Sequence, residues 1–323
     1  MFRIGIDLGG TNIAAGLVNE KYEIVRKMST PTRATTRTAE EIADAMAGLC
    51  IDLAAAEGLS MADIDAIGIA SPGVANSAEG VVEYSSNLPF RKFPIASLLR
   101  ERTGVAAVHV ENDANAAAWA EHVAGAARGT KHSVTITLGT GVGGGVIIDG
   151  KVFSGSNFAG AELGHIVIEK DGVPCTCGRR GCWEVYSSAT GLIRMTKEKL
   201  AACEREGRPT LMTAMVAERG KVSGRHAFQA MREGDAAGKE VVDTYLSYLA
   251  TGIINIINVF QPEVVCIGGG VSGERDSLIL PMLPTIVKEQ YGSGYVSPTK
   301  ICVAELGNDA GIIGAAFLGI NAH

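Results

Sequence analysis

Apolar positions along this chain alternate between two registers. Short runs rich in Val and Ile, among them Ile4–Leu8, Ile13–Val18, Ile64–Ala70, Val105–Val110, Val134–Leu138 and Val264–Ile267, read as strands. Between them lie stretches with helical spacing. Over Ala39–Ala56, Ile42, Met46, Leu49 and Leu53 recur at intervals of four, three and four, which predicts one amphipathic helix. Further helices are expected in the alanine-rich stretch after Asn115, from about Arg275, and over Gly311–Leu318. Residues 196–225 are charged and irregularly patterned; they read as a helical excursion without a chemical role. Strands alternating with helices in this way predict an α/β fold.

Three strands run straight into glycine turns. Ile4-Gly-Ile-Asp7-Leu is followed by Gly9-Gly10-Thr11-Asn12 and a second apolar run, and Val134–Leu138 by Gly139-Thr140-Gly141-Val-Gly-Gly-Gly145 and another. Each predicts strand, tight turn, strand. Such a turn is an ordinary hairpin, or a nest whose backbone N–H groups and threonine hydroxyl cradle phosphate oxygens. Two of them, about 130 residues apart, favour the nest. The third turn, Gly268-Gly269-Gly270, leads toward the helix expected from Arg275. It completes Gly268-x-Gly270-x-x-Gly273, and Gly139-x-Gly141-x-x-Gly144 has the same form. A dinucleotide fingerprint needs a helix after the glycines and an acid at a strand end about twenty residues on. The earlier turn fails the first condition and the later one the second.

With 323 residues the chain is long enough for two domains. Its net charge of −6 and the lack of a basic stripe argue against nucleic acid and anionic membrane as partners. The most apolar stretch, around Ile253–Phe260, is interrupted by Asn255 and Asn258 and is too short to span a bilayer. The opening Met-Phe-Arg-Ile-Gly has no charged-then-apolar leader, so a cytoplasmic location is expected.

Of seven cysteines, Cys50, Cys203, Cys266 and Cys302 lie apart in helical or strand-like segments and read as core residues. The other three form Cys175-Thr-Cys177-Gly-Arg-Arg-Gly-Cys182-Trp-Glu184, preceded by Glu162-Leu-Gly-His165. His165, Cys175, Cys177 and Cys182 are the ligand set of a closed zinc site. Cys-x-Cys is not the commonest zinc spacing, so a disulfide or redox pair is the competing reading; a reducing compartment disfavours it. The acids Glu162 and Glu184 flank the ligands, which suggests a metal-built wall of a binding pocket.

Val105–Val110 leads into Glu111-Asn112-Asp113-Ala-Asn115, placing Asp113 at a strand end, where α/β sheets gather ligands. Asn112 or Asp113 would equally serve there as a helix N-cap. Taken together and in this order, the Asp7–Asn12 turn, Glu111–Asn115, the Leu138–Gly145 turn, Glu162-x-x-His165 and the Cys175–Glu184 block resemble the ROK family of repressors and sugar kinases, and most of all its bacterial glucokinases.

The resemblance covers essentially the whole chain and implies two ribonuclease-H-like lobes of the actin and hexokinase type, with an active-site cleft between them. The lobes would be 1–117 with 310–323, and 118–309 carrying a structural zinc. It implies transfer from MgATP to a hexose 6-hydroxyl with Asp113 as general base. Asp7 would orient hydrated magnesium. Gly9, Gly10, Thr11, Asn12, Gly139, Thr140 and Gly141 would surround the phosphates, and Gly268, Gly269 and Gly270 the nucleoside. Asn87, Asn112, Asp113, Glu162, His165 and Glu184 would bind the sugar, His165 with one ring nitrogen on zinc. Glucose is the favoured substrate; fructose, mannose, allose and N-acetylhexosamines share the motif residues. A homodimer is implied as well. A sugar-sensing repressor of the same family would carry a helix-turn-helix ahead of the first turn, whereas the first strand here begins near Phe2. An ATP-driven conformational protein of the actin type would not need the zinc block.

Overall fold

The computed structural model describes residues 1–320; the last three residues of the expected 310–323 segment lie outside them. The chain opens with an antiparallel meander, β1 (Phe2–Leu8), β2 (Asn12–Asn19) and β3 (Ile24–Pro31), followed by helix α1 (Ala39–Ala55) and strand β4 (Ile64–Ser71). A small antiparallel sheet of β5 (Val74–Asn76), β6 (Val81–Tyr84) and β7 (Arg91–Phe93) leads to α2 (Ile95–Thr103), β8 (Val108–Asn112) and α3 (Asp113–Val123). A second meander, β9 (Ser133–Leu138), β10 (Val142–Ile148) and β11 (Lys151–Val152), precedes helices α4 (Glu184–Ser187), α5 (Ala189–Arg205), α6 (Leu211–Arg219), α7 (Gly224–Arg232) and α8 (Ala236–Phe260). The chain closes with β12 (Val264–Gly268), α9 (Asp276–Ile279), α10 (Leu283–Glu289), β13 (Lys300–Val303) and α11 (Ala310–Ala316).

The two large sheets repeat one order, β3-β2-β1-β4-β8 and β11-β10-β9-β12-β13. In the first, β1 pairs antiparallel with β2 and parallel with β4, and β4 parallel with β8. This is the ribonuclease-H-like plan, present twice, as expected. Among the described residues no helix is long and apolar enough to cross a membrane.

By packing, the chain divides into two compact units. Among the described residues, unit 1 comprises 1–135, 145–161 and 305–320, and unit 2 comprises 136–144 and 162–304. In unit 1 the core lies between the first sheet and α1 with α2, where Ile4, Ile6, Ile42, Met46, Leu53, Ile67 and Leu99 are fully buried. Helix α1 begins as the sequence predicts, with a Thr38–Glu41 capping box. On the other face, α11 packs on β1, β4 and α3. Glycines permit this. A Cβ on Gly5 would stand 1.8 Å from the Ile312 carbonyl oxygen, and one on Gly68 1.7 Å from that of Ala315. The backbone of α11 therefore rests on the strands, and burying Ile312, Ile313 and Phe317 contributes about 1.5–3 kcal/mol each.

In unit 2, α8 packs against α4, α5, α7 and α10. The excursion over 196–225 is helical, taken up by the end of α5, α6 and the start of α7. Two expectations change. The strand expected over Val105–Val110 runs from Val108 to Asn112, since pairing with β4 continues through Glu111 and Asn112. The helix expected from Arg275 is broken: a 3-10 turn occupies Gly270–Glu274, Arg275 has φ 46°, and only the short α9 and α10 follow. The dinucleotide fingerprint thus lacks its helix as well as its acid.

Candidate functional site

Unit 1 gathers Asp7, the first glycine turn, Asn87, Asn112 and Asp113. The hairpin from β1 to β2 closes with the Gly9 amide donating to the Asn12 carbonyl at 2.9 Å, and the Thr32 hydroxyl donates to the Gly9 carbonyl at 2.6 Å. Thr11 and Asn12 project from it, exposed. A Cβ on Gly10 would meet Asn87 at 3.4 Å, so the loop that carries exposed Asn87 lies directly against the turn.

At the end of β8 the choice of helix cap resolves. Asn112 is the N-cap of α3: its Oδ1 accepts from the amides of Ala114 at 2.9 Å and Asn115 at 3.2 Å, while its Nδ2 donates to the Gly73 carbonyl at 3.0 Å. Asp113 is therefore the first helical residue and not the cap; its Oδ1 accepts from Ala114 N at 2.9 Å. The surface of Asp113 is open to solvent, yet its carboxyl is surrounded by enough protein that burial raises its pKa, against the lowering effect of neighbouring amides and Asn112. Asp7 is raised too, by burial first and then by the charge of Asp113, with Lys27 opposing. Gly311, at the start of α11, faces this acid; a Cβ there would stand 2.9 Å from the Asp7 Cγ.

Unit 2 holds the four candidate metal ligands, the second and third glycine turns, Glu162 and Glu184. One ligand atom each from His165, Cys175, Cys177 and Cys182 lies within 4.8 Å of every other. Cys175 Sγ is 3.7 Å from His165 Nδ1, and Cys177 Sγ 3.7 Å from Cys182 Sγ. With zinc–sulfur bonds of about 2.3 Å a tetrahedron has edges of about 3.8 Å. The sulfur separation fits that edge and not the bond of about 2.05 Å in a disulfide. Burial, with the neighbouring thiols, pushes Cys182 up to about 12, so a bound cation must displace its proton; a hydrogen bond from the Arg179 backbone amide lowers Cys177. His165 would coordinate through Nδ1, leaving Nε2 for another partner.

The knuckle is built locally. Cys175 N donates to the Arg179 carbonyl at 2.8 Å, and Gly178 and Gly181 take positive φ of 89° and 75°. Trp183, between the last ligand and Glu184, is the anchor. It is 1% exposed, its indole N–H donates to the Tyr248 carbonyl at 3.1 Å, and Gly252 on α8 leaves room for the ring. Glu162 directly precedes the 3-10 turn Leu163–His165, whose last amide returns to its carbonyl at 3.0 Å.

Glu184 reaches the second glycine turn. Its Oε2 accepts from Val142 N at 3.0 Å, and a Cβ on Gly141 would stand 2.1 Å from that oxygen. Gly139 N donates to the Gly141 carbonyl at 3.0 Å, and the Thr140 carbonyl accepts from the Thr190 hydroxyl at 2.7 Å. A Cβ on Gly269 would lie 2.6 Å from the backbone of Leu138, so the third turn, Gly268–Gly270, sits beside the second.

Sequence reasoning passed over Glu111, Gly73, Trp183 and Gly311. The signal for Glu111 was available, as an acid closing an otherwise apolar strand. The other three depend on neighbours distant in sequence.

Known sugar kinases resemble this chain over nearly its whole length. The chain is 36% identical over 318 residues to the glucokinase of Streptomyces coelicolor, covering 98% of this chain and 96% of that one. It is 31% identical over 329 residues to the N-acetyl-D-glucosamine kinase of Vibrio cholerae, covering 98% and 99%. Among solved structures, the ROK family glucokinase of Streptomyces griseus in complex with glucose and AMPPNP superposes with a TM-score of 0.80 at 34% identity, covering 98% and 99%. The ROK family model itself matches residues 3–322. With the duplicated fold, both glycine hairpins and the Cys3His cluster in place, the chain belongs to the ROK family.

Proposed function

We propose that this protein is an ATP-dependent hexose kinase that phosphorylates the 6-hydroxyl of glucose. The observation that carries the reading is Asp113, held at the first position of α3 by the Asn112 cap, with its pKa raised by burial and Asp7 as its electrostatic neighbour. A general base works best when its pKa approaches the working pH, and phosphoryl transfer otherwise rests on positioning and charge. In this reading Asp113 accepts the proton of the 6-hydroxyl as it attacks the γ-phosphorus. Magnesium, when bound with ATP, neutralises charge on the transferring phosphoryl group.

Asp7, paired in charge with Asp113, suits a hydrated cation. Gly9, Gly10, Thr11, Asn12, Gly139, Thr140 and Gly141 offer backbone amides and hydroxyls to the phosphates, and Gly268, Gly269 and Gly270 leave space for the nucleoside. The zinc ligands are structural: four protein donors leave no position for activating water. Their effect is to hold His165 and Glu184, which with Glu162, Asn87 and Asn112 supply acceptors and amides for sugar hydroxyls. Likeness to the Vibrio cholerae enzyme supports an N-acetylhexosamine as the second substrate reading.

ADP release with MgATP across glucose, fructose, mannose, N-acetylmannosamine and N-acetylglucosamine tests the proposal. Glucose-dependent turnover supports it, turnover with another sugar moves the specificity, and silence across the panel rejects the kinase reading.

A further inference from the structure

Glu111 is 5% exposed and its pKa is raised by burial, yet it makes no ion pair among those formed by the described residues. Burying a carboxylate costs several kcal/mol unless its oxygens are hydrogen-bonded. Here they are. Oε1 accepts from the Asn112 amide at 2.9 Å and from Asn115 Nδ2 at 3.0 Å, and Oε2 from the Ser154 hydroxyl at 3.2 Å. Asn115 Nδ2 also approaches Ser154 Oγ, at 3.4 Å. The three partners belong to different pieces of the site: the residue that caps α3, the first turn of α3 itself, and the segment from Ser154 that runs on to Glu162. A cavity of about 300 Å³, lined by His109, Glu111, Trp119, Lys151 and Ser154, opens beside the carboxylate.

We propose that Glu111 is a positioning residue for phosphoryl transfer, locking the segment that begins at Ser154 to the helical turn that carries Asp113. The segment that leads to Glu162 and the helical turn of the base are then held in one register. The inference rests on the hexose kinase reading. Glutamine preserves the link, because its carbonyl accepts both N–H groups and its amide donates to a Ser154 hydroxyl that turns to accept. Alanine cuts all three bonds, and Ser154→Ala cuts one.

The test compares wild type, Glu111→Gln, Glu111→Ala, Ser154→Ala and the Glu111→Ala/Ser154→Ala double variant. The readouts are kcat, KM for hexose and for ATP, and amide hydrogen exchange over 113–120 and 154–161. Glu111→Ala is expected to lose roughly 10²-fold in kcat, the scale of a 1 Å misplacement, with ATP KM unmoved and Glu111→Gln restoring most of the loss. Ser154→Ala raises hexose KM and exchange over 154–161, and the double variant is no worse than Glu111→Ala because the link is already cut. Near-normal kcat in folded Glu111→Ala, or additive effects in the double variant, overturn the proposal. If Glu111→Ala does not fold, Ser154→Ala decides: unchanged hexose KM and unchanged exchange reject the link. Wild-type ADP release is the separate control. Silence there defeats the kinase reading, while exchange over 154–161 still decides whether Glu111 makes the connection.

Discussion

Asp113→Asn is the sharpest perturbation of the proposed mechanism, because the structure separates its chemical effect from its structural one. The substitution is isosteric, and the amide oxygen still accepts from Ala114 N, where the carboxylate accepts at 2.9 Å. The N-cap belongs to Asn112, so α3 does not lose the 0.5–2 kcal/mol that deletion of a cap typically costs. Only the proton acceptor goes. General-base catalysis contributes typically 10²–10⁴-fold, and kcat is expected to fall by about that factor, or about 2.7–5.4 kcal/mol in the barrier. Hexose affinity, measured by calorimetry, is retained.

The pH dependence follows from the same residue. The base acts when deprotonated and its pKa lies above the ordinary aspartate value, so kcat/KM rises with pH through that raised pKa before levelling; the variant lacks this limb. A carboxyl whose folded pKa is raised contributes stability below its unfolded pKa and loses it as pH rises through the folded one. The neutral variant escapes that loss, so its Tm at pH 7 should not fall below wild type. Near-normal turnover removes Asp113 as the base, and a large drop in Tm would show that it, and not Asn112, secures the helix.

Three further perturbations have determinate outcomes. Cys177→Ser, at the exposed ligand, should abolish zinc in metal analysis and weaken hexose binding; intact affinity without metal would separate the knuckle from the pocket. Gly141→Ala places a Cβ 2.1 Å from Glu184 Oε2 and drives the carboxylate off Val142 N, a charge-assisted bond worth about 1.5–3 kcal/mol. Hexose KM should rise roughly 10- to 100-fold, and an unchanged KM would remove Glu184 from the sugar site. Gly68→Ala forces its Cβ to 1.7 Å from a backbone oxygen that cannot rotate away. The cost should reach the upper part of the 1–3 kcal/mol range for overpacking, seen as a Tm lower by roughly 3–5 °C in thermal unfolding; an unshifted Tm would mean that α11 yields freely.

Much of this protein is local, and local features were legible in its sequence. Amphipathic spacing defined α1, the Val- and Ile-rich runs defined β1, β2, β4, β9, β10 and β12, and glycine turns between them predicted both hairpins. The ligand set of the zinc knuckle was readable because coordination demands particular atoms whatever the fold. What periodicity could not see were polar residues doing the work of a strand or a cap. Glu111 and Asn112 continue β8 because β4 offers them hydrogen bonds, and Asn112 outcompetes Asp113 as cap because its amide also reaches Gly73. The bonds that set the chemistry join residues far apart in sequence. Gly141 is glycine because Glu184 occupies its side-chain space, Gly68 because α11 rests on it, and Trp183 can anchor the knuckle because Gly252 clears the ring. Hydrophobic periodicity and turn chemistry are properties of neighbours in sequence, and so most of the elements were legible along the chain. Steric exclusion and the burial that shifts Asp7 and Asp113 depend on atoms brought together only by folding, and tertiary structure alone decided them.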